Sequence, residues 1–263
     1  MLKLAITGKG GVGKTTLASL LARLYAAEGD TVIAIDANPD ANLGTALGIS
    51  AEELRRITPI AEMGELIEER TGAKPGTTGF FKLNPRVDDI PDRFSVSKDG
   101  IKLLVMGTVK KGGAGCMCPE SALLRSLLSH LLLGRKEVVI MDMDAGVEHL
   151  GRGTAGFVDA FITVVEPGRR SLDTARAITK LAQDLGIKKS YVVGNKVASD
   201  EDRKFIINNL PGLEILGFIS HNLKIAEADR KGISPFDADP EAVNESKAIR
   251  DKLEAISRQM PRG

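Results

Sequence analysis

Apolar residues in this chain follow two spacings that alternate from end to end. Short continuous runs at 2–6, 31–35, 138–141, 160–165, 191–193 and 214–219 predict strands buried on both faces. Between them, apolar positions recur every three or four residues. Leu17, Leu20, Leu21, Leu24 and Tyr25 predict a helix over 16–27, stopped by Gly29. Leu123, Leu124, Leu127, Leu128, Leu131 and Leu132 predict a second helix, opened by Pro119. Further helices are expected over 172–185, before Gly186, and over 202–209. The last helix starts near Pro240, with Val243, Ile249, Leu253, Ile256 and Met260 on one stripe. Strand, helix and strand in succession make βαβ units and hence a parallel sheet. The expected fold class is α/β: a doubly wound, mostly parallel sheet flanked by helices.

Two stretches break the rhythm. Residues 49–92 carry two short helical patterns, at 51–57 and 63–70, and then a run rich in Gly, Thr, Pro and charge. This run holds too few apolar residues for a core of its own. It is expected to be an irregular insertion within a single domain spanning 1–263. Phe80 and Phe81 are its exception: either a satellite core, which is the expectation, or a patch that meets a partner. Residues 94–106 read as a hairpin around the turn Ser97-Lys98-Asp99-Gly100.

Composition narrows the possible partners. The 36 basic and 35 acidic residues cancel to +1, so no global field attracts nucleic acid or an anionic membrane. No apolar run reaches membrane-spanning length, and the chain opens on a strand rather than a signal peptide. A cytoplasmic protein with no nucleic-acid or membrane partner is expected. Aromatic residues are sparse and Trp is absent, which disfavours stacking on single strands. The two cysteines, Cys116 and Cys118, are too few for a disulfide scaffold.

The first strand runs into Gly8-Lys9-Gly10-Gly11-Val12-Gly13-Lys14-Thr15-Thr16, and a helix follows. This is the G-x-x-x-x-G-K-[ST] spacing in its strand–loop–helix setting. Glycines let successive N–H groups turn inward as an anion nest, and the helix adds its N-terminal dipole. Lys14 is expected to reach the β- and γ-phosphates, and the Thr15 hydroxyl to ligate Mg²⁺. The run 138–141 ends in Asp142, a carboxylate at a strand's end that suits Mg²⁺ directly or through water. Gly146, just beyond, is placed to give its N–H to a γ-phosphate. Cys116-Met117-Cys118 supplies two thiols two residues apart. They are either a soft-metal pair completed by a second copy across a two-fold axis, or two reduced structural thiols. Of the histidines, His130 reads as packed in the leucine-rich helix. His149 follows Gly146, and His221 starts a loop.

The Gly8–Thr16 loop resembles the deviant Walker A loop of the MinD/ParA/nitrogenase-iron-protein class of P-loop ATPases, whose mark is the lysine at position 9. The resemblance covers nearly the whole chain. It implies that Lys9 reaches the nucleotide of a partner subunit, so that the active form is a homodimer closed around ATP. It also implies that 36–43 is switch I, that 142–146 is switch II, and that Asn195, in Gly194-Asn195-Lys196, reads the adenine. Gly112-Gly113 ahead of the cysteine pair, together with 142–150 and Arg152-Gly153-Thr154, is similar to the CooC branch. These are nickel-insertion accessory ATPases for carbon monoxide dehydrogenase. That likeness implies Ni²⁺, or Zn²⁺, on Cys116 and Cys118 of both subunits, and a nickel enzyme as client.

One position departs from the class. Many members carry Asp immediately before the switch I proline, where this chain has Asn38. An amide cannot act as a general base. Asp36 or Asp40 could take over, or positioning alone could suffice, and slow hydrolysis is expected. Two other functions share the same loop. One is an electron-donating ATPase with a bridging iron–sulfur cluster, although the cysteines of that family lie far apart in sequence. The other is a ParA- or MinD-type positioning ATPase.

Overall fold

The computed structural model describes residues 2–77, 79–108, 118–146, 157–187 and 189–259. Cys116, His149 and Met260 therefore lie outside the described residues. The strands are β1 (Lys3–Thr7), β2 (Val32–Ala37), β3 (Val96–Lys98), β4 (Ile101–Val105), β5 (Val138–Met143), β6 (Ala160–Val165), β7 (Ser190–Val197) and β8 (Glu214–Ser220). They form one eight-stranded sheet in the order β3-β4-β2-β5-β1-β6-β7-β8. Every pairing is parallel except β3 with β4. The expected α/β class is the observed one.

The apolar runs read as strands because helices cover both faces of the sheet. On one face Leu4, Ile6, Ala34, Ile140 and Ile162 pack with Leu17, Leu20 and Leu21 of the Lys14–Ala27 helix. Ile249 and Leu253 of the Pro240–Gln259 helix join them. On the other face Ala5, Ile33, Ile35, Met141 and Phe161 pack with Leu123, Leu127 and Leu131 of the Pro119–Leu133 helix. Successive apolar residues of the central strands β2 and β5 thus belong to opposite cores, and no polar alternation interrupts their runs. β1 lies between β5 and β6, where the chain crosses from one half of the sheet to the other. Ligand crevices in such sheets open beyond the carboxyl ends of the strands at this crossing.

Several expectations are corrected. The hairpin turn is two residues long. Ser97 pairs with Lys102 and Lys98 with Ile101, leaving Asp99 and Gly100 at φ 48° and 80°. Two positive φ angles give a primed turn, whose twist matches that of the strands. Phe80 is fully exposed and Phe81 half-buried, so neither forms the expected satellite core. The apolar contribution of 49–92 comes instead from Ile60, Leu66, Ile67, Val87 and Ile90, which join the second core. Among the helices that escape the periodicity reading are Leu223–Lys231 and Pro235–Ala238. They are short and polar, and their signals are caps: Asn222 accepts from the Lys224 N–H and Ser234 from the Phe236 N–H. Among the described residues no helix is long and apolar enough to cross a membrane.

Candidate functional site

The loop after β1 wraps the first turn of the Lys14–Ala27 helix. Gly13 caps that helix at φ 95°, a left-handed backbone that glycine adopts without strain. A side chain there would also collide with the Asn195 amide, and one at Gly8 would meet the Val164 carbonyl. Gly10 and Gly11 face open space. Val12 is buried and anchors the loop from beneath.

Asn195 braces this loop from across the sheet. Its amide nitrogen donates to the Val12 carbonyl at 2.7 Å, and its Oδ1 accepts from the Lys196 N–H at 2.9 Å. The register of β7 against β8 shifts between Gly194 and Val197, where Lys196 takes φ 57°. This bulge turns the Lys196 side chain back to the loop, where Nζ donates to the Gly11 carbonyl at 2.6 Å. Glu166, directly after β6, stands 3.4 Å from Lys196 Nζ and 3.9 Å from Lys9 Nζ. Lys14 is buried, with Nζ 3.4 Å from the Lys9 carbonyl.

Beneath the loop the β2–β5 pairing sets Asp36 opposite Asp142. Both carboxyls are fully buried. Thr15 donates its hydroxyl to Asp142 Oδ2 at 2.6 Å, while Asp142 Oδ1 has no hydrogen-bond partner. Burial pushes the Asp142 carboxyl up to about 6, with Asp36 adding and Thr15 opposing. A hydroxyl beside a buried carboxylate with one free oxygen is a donor set that fits Mg²⁺. Asp36 is spent differently. Its oxygens accept from the backbone N–H groups of Asn38 at 3.1 Å and Leu43 at 2.8 Å. Burial raises its pKa against these bonds. Asp36 thus anchors the loop leaving β2. Asn38 donates to the Asp142 carbonyl at 3.2 Å. Asp40 is exposed on the same loop.

Above these residues lies a cleft of about 600 Å³, within the range of small-molecule sites. Of the residues expected in the site, Gly10, Gly11, Gly13, Lys14, Thr15, Thr16, Asn38, Asp40, Asn195 and Lys196 line it. Asp36, Asp142 and Gly146 are buried, and neither they nor Gly8, Lys9, Val12 and Cys118 line it. Cys118 sits at the start of the Pro119–Leu133 helix, buried, with Sγ 3.1 Å from Ser121 Oγ.

Residues 3–236 match the family model described as the CobQ/CobB/MinD/ParA nucleotide binding domain. The chain belongs to this family. Among MinD/ParA-type relatives, it is 51% identical over 255 residues to the carbon monoxide dehydrogenase accessory protein CooC of Rhodospirillum rubrum, covering 97% of this chain and 94% of that protein. It is 48% identical to an uncharacterised ATP-binding protein of Methanocaldococcus jannaschii, over 94% and 96% of the two chains. The solved structure of the Aquifex aeolicus MinD cell division protein shares the fold at TM-score 0.68 and 21% identity, over 100% and 99% of the chains. A ParA family ATPase from Chlorobium tepidum does so at TM-score 0.65 and 19% identity, over 96% and 98%. By family and fold this is a MinD/ParA-like P-loop ATPase.

Sequence reasoning missed several contributors to the site and its surroundings. Glu166 had a usable signal, since an apolar run ending in a carboxylate is the pattern that picked out Asp142. Ser220, His221 and Asn222 line the cleft opposite the phosphate loop; only the crossing order of the sheet brings them there. Thr7 reads as the polar end of the first strand, yet its hydroxyl lies 2.7 Å from the Asp144 carbonyl and 3.2 Å from the Gly146 nitrogen.

Proposed function

We propose that this chain is a dimerising, Mg²⁺-dependent ATPase that prepares a nickel enzyme, carbon monoxide dehydrogenase or a close equivalent, by delivering nickel to it. The observation that carries this reading is 51% identity across 97% of the chain to an accessory protein of that enzyme. The site is consistent with it. The nest of loop N–H groups and Lys14 would hold the β- and γ-phosphates, and Thr15 and Asp142 would hold Mg²⁺. Asn195 and Lys196, which line the same cleft, would meet the nucleotide's base. Lys9 would act on the nucleotide of a second copy. With Asn38 unable to take a proton and Asp36 committed to backbone N–H groups, no buried base is free in switch I, and hydrolysis is slow.

Cys116 and Cys118 from two copies would offer four thiolates to one Ni²⁺ or Zn²⁺, carried as cargo between ATP-bound and hydrolysed states. Metal and ATP would then raise each other's affinity, because both favour the closed dimer. The test is a nickel titration of the natural protein and of Cys118→Ala, with dimer mass read with and without Mg·ATP. The expected result is one nickel per dimer, bound more tightly with ATP and lost in the variant. Equal nickel affinity in the apo, ADP and ATP states would overturn the coupling. Unchanged nickel binding in Cys118→Ala would overturn the site.

A further inference from the structure

We propose that Thr7 is a positioning residue that holds the Gly146 N–H for the γ-phosphate, and so sets how strongly the site distinguishes a nucleoside triphosphate from a diphosphate. The inference rests on the nucleotide reading of the cleft and adds a residue to it. Thr7 ends β1 and is fully buried. Its hydroxyl donates to the Asp144 carbonyl at 2.7 Å, with the Gly146 carbonyl a longer acceptor at 3.2 Å. The same oxygen accepts from the Gly146 N–H at 3.2 Å. One side chain therefore closes the turn after β5 by both its carbonyl side and its amide side.

The position of that turn gives the bond its meaning. β1 and β5 are neighbours, with Ile6 opposite Asp142. The strand that leads into the phosphate loop thus also holds the segment that follows the Mg²⁺ carboxylate. Gly146 is buried at φ 155°, a conformation open to glycine alone. Its N–H cannot turn to solvent while the turn stays closed, and a buried donor needs an acceptor. Thr7 provides one. A γ-phosphate oxygen is the stronger acceptor, because it is charged. Taking the N–H from Thr7 would open the turn. A diphosphate has no oxygen there, so the N–H stays with Thr7. The hydroxyl acts as a competitor for the amide, and removing it tips the balance toward the triphosphate.

The experiment compares Thr7→Val with the natural protein. Val keeps the β-branched shape that the strand position requires and removes only the hydroxyl. Calorimetric titration with Mg·ADP and Mg·AMPPNP gives the ratio of the two dissociation constants. The expected result is a ratio shifted about tenfold toward AMPPNP, since the diphosphate state then leaves a buried N–H unpaired. Thr7→Ser, which restores the hydroxyl, is expected to restore the natural ratio; Thr7→Ala serves if the Val variant does not fold. An unchanged ratio in the hydroxyl-free variant, with ADP still bound, would overturn the inference and leave the nucleotide site standing. A ratio shifted equally in Thr7→Ser would also overturn it, since the hydroxyl would then not be the cause. If the natural protein bound neither nucleotide, the reading of the cleft would fall and the role of Thr7 with it.

Discussion

Replacing Asp142 by Asn should stabilise the protein in the absence of ligand while removing its response to magnesium. Asp142 is fully buried, accepts from Thr15 at 2.6 Å through Oδ2, and leaves Oδ1 without a partner. Its carboxyl titrates near 6 in the folded chain, against an ordinary value near 4. Below pH 4 the group is protonated both folded and unfolded, and its charge costs nothing. As pH rises toward 6 the unfolded chain ionises freely, whereas the folded chain must ionise a desolvated group. Above about pH 7 the cost is complete, at about 3 kcal/mol. Asn keeps an oxygen for the Thr15 hydroxyl and carries no charge. The stability gap between Asp142→Asn and the natural chain is therefore expected to be near zero at pH 4 and about 3 kcal/mol at pH 8. For a chain of this size that corresponds to roughly 6 to 10 °C in Tm. Urea unfolding followed by circular dichroism, without nucleotide or metal, measures the gap at each pH. Added Mg·ATP is expected to stabilise the natural chain and not the variant. A gap independent of pH, or a variant less stable than the parent at pH 8, would refute the account of Asp142 as a strained, metal-ready carboxylate.

Two further outcomes test the loop and its surroundings. Gly13→Ala places a side chain against Asn195 in a left-handed backbone; a loss of about 2 kcal/mol or more in unfolding free energy is expected, with loss of nucleotide binding by calorimetry. Glu166→Gln removes the negative charge beside Lys9 and Lys196, and a several-fold gain in ATP affinity at low salt is expected, fading at high ionic strength.

The parallel sheet was readable because burial on both faces leaves strands such as β2 and β5 as unbroken apolar runs ending in Asp36 and near Asp142. The phosphate loop was readable because its signal is local and its flanks agree with it. Phe80 misled because a pair of aromatic residues looks like core, whereas the space under that segment is filled by Leu66, Ile67 and Val87. Asp36 enters the sequence reading, beside Asp40, as a substitute for the base that Asn38 cannot be; its role as an anchor appears only once the Leu43 N–H is seen to fold back on it. The partners of Thr7 lie 137 and 139 residues away, and Asn195 lies 183 residues from Val12. Separations of that size carry no spacing for a motif to record.

That last distance bears on the order in which the chain acquires its activity. The Asn195 amide holds the Val12 carbonyl, and Lys196 holds that of Gly11. A polypeptide emerging in N-to-C order displays the phosphate motif 183 residues ahead of the Asn195 brace that shapes it, which arrives only with β7. Every shorter intermediate has the letters of the motif and lacks this buttress. Nucleotide capture thereby becomes a report that most of the sheet has been assembled, and an incomplete chain is poorly equipped to sequester ATP.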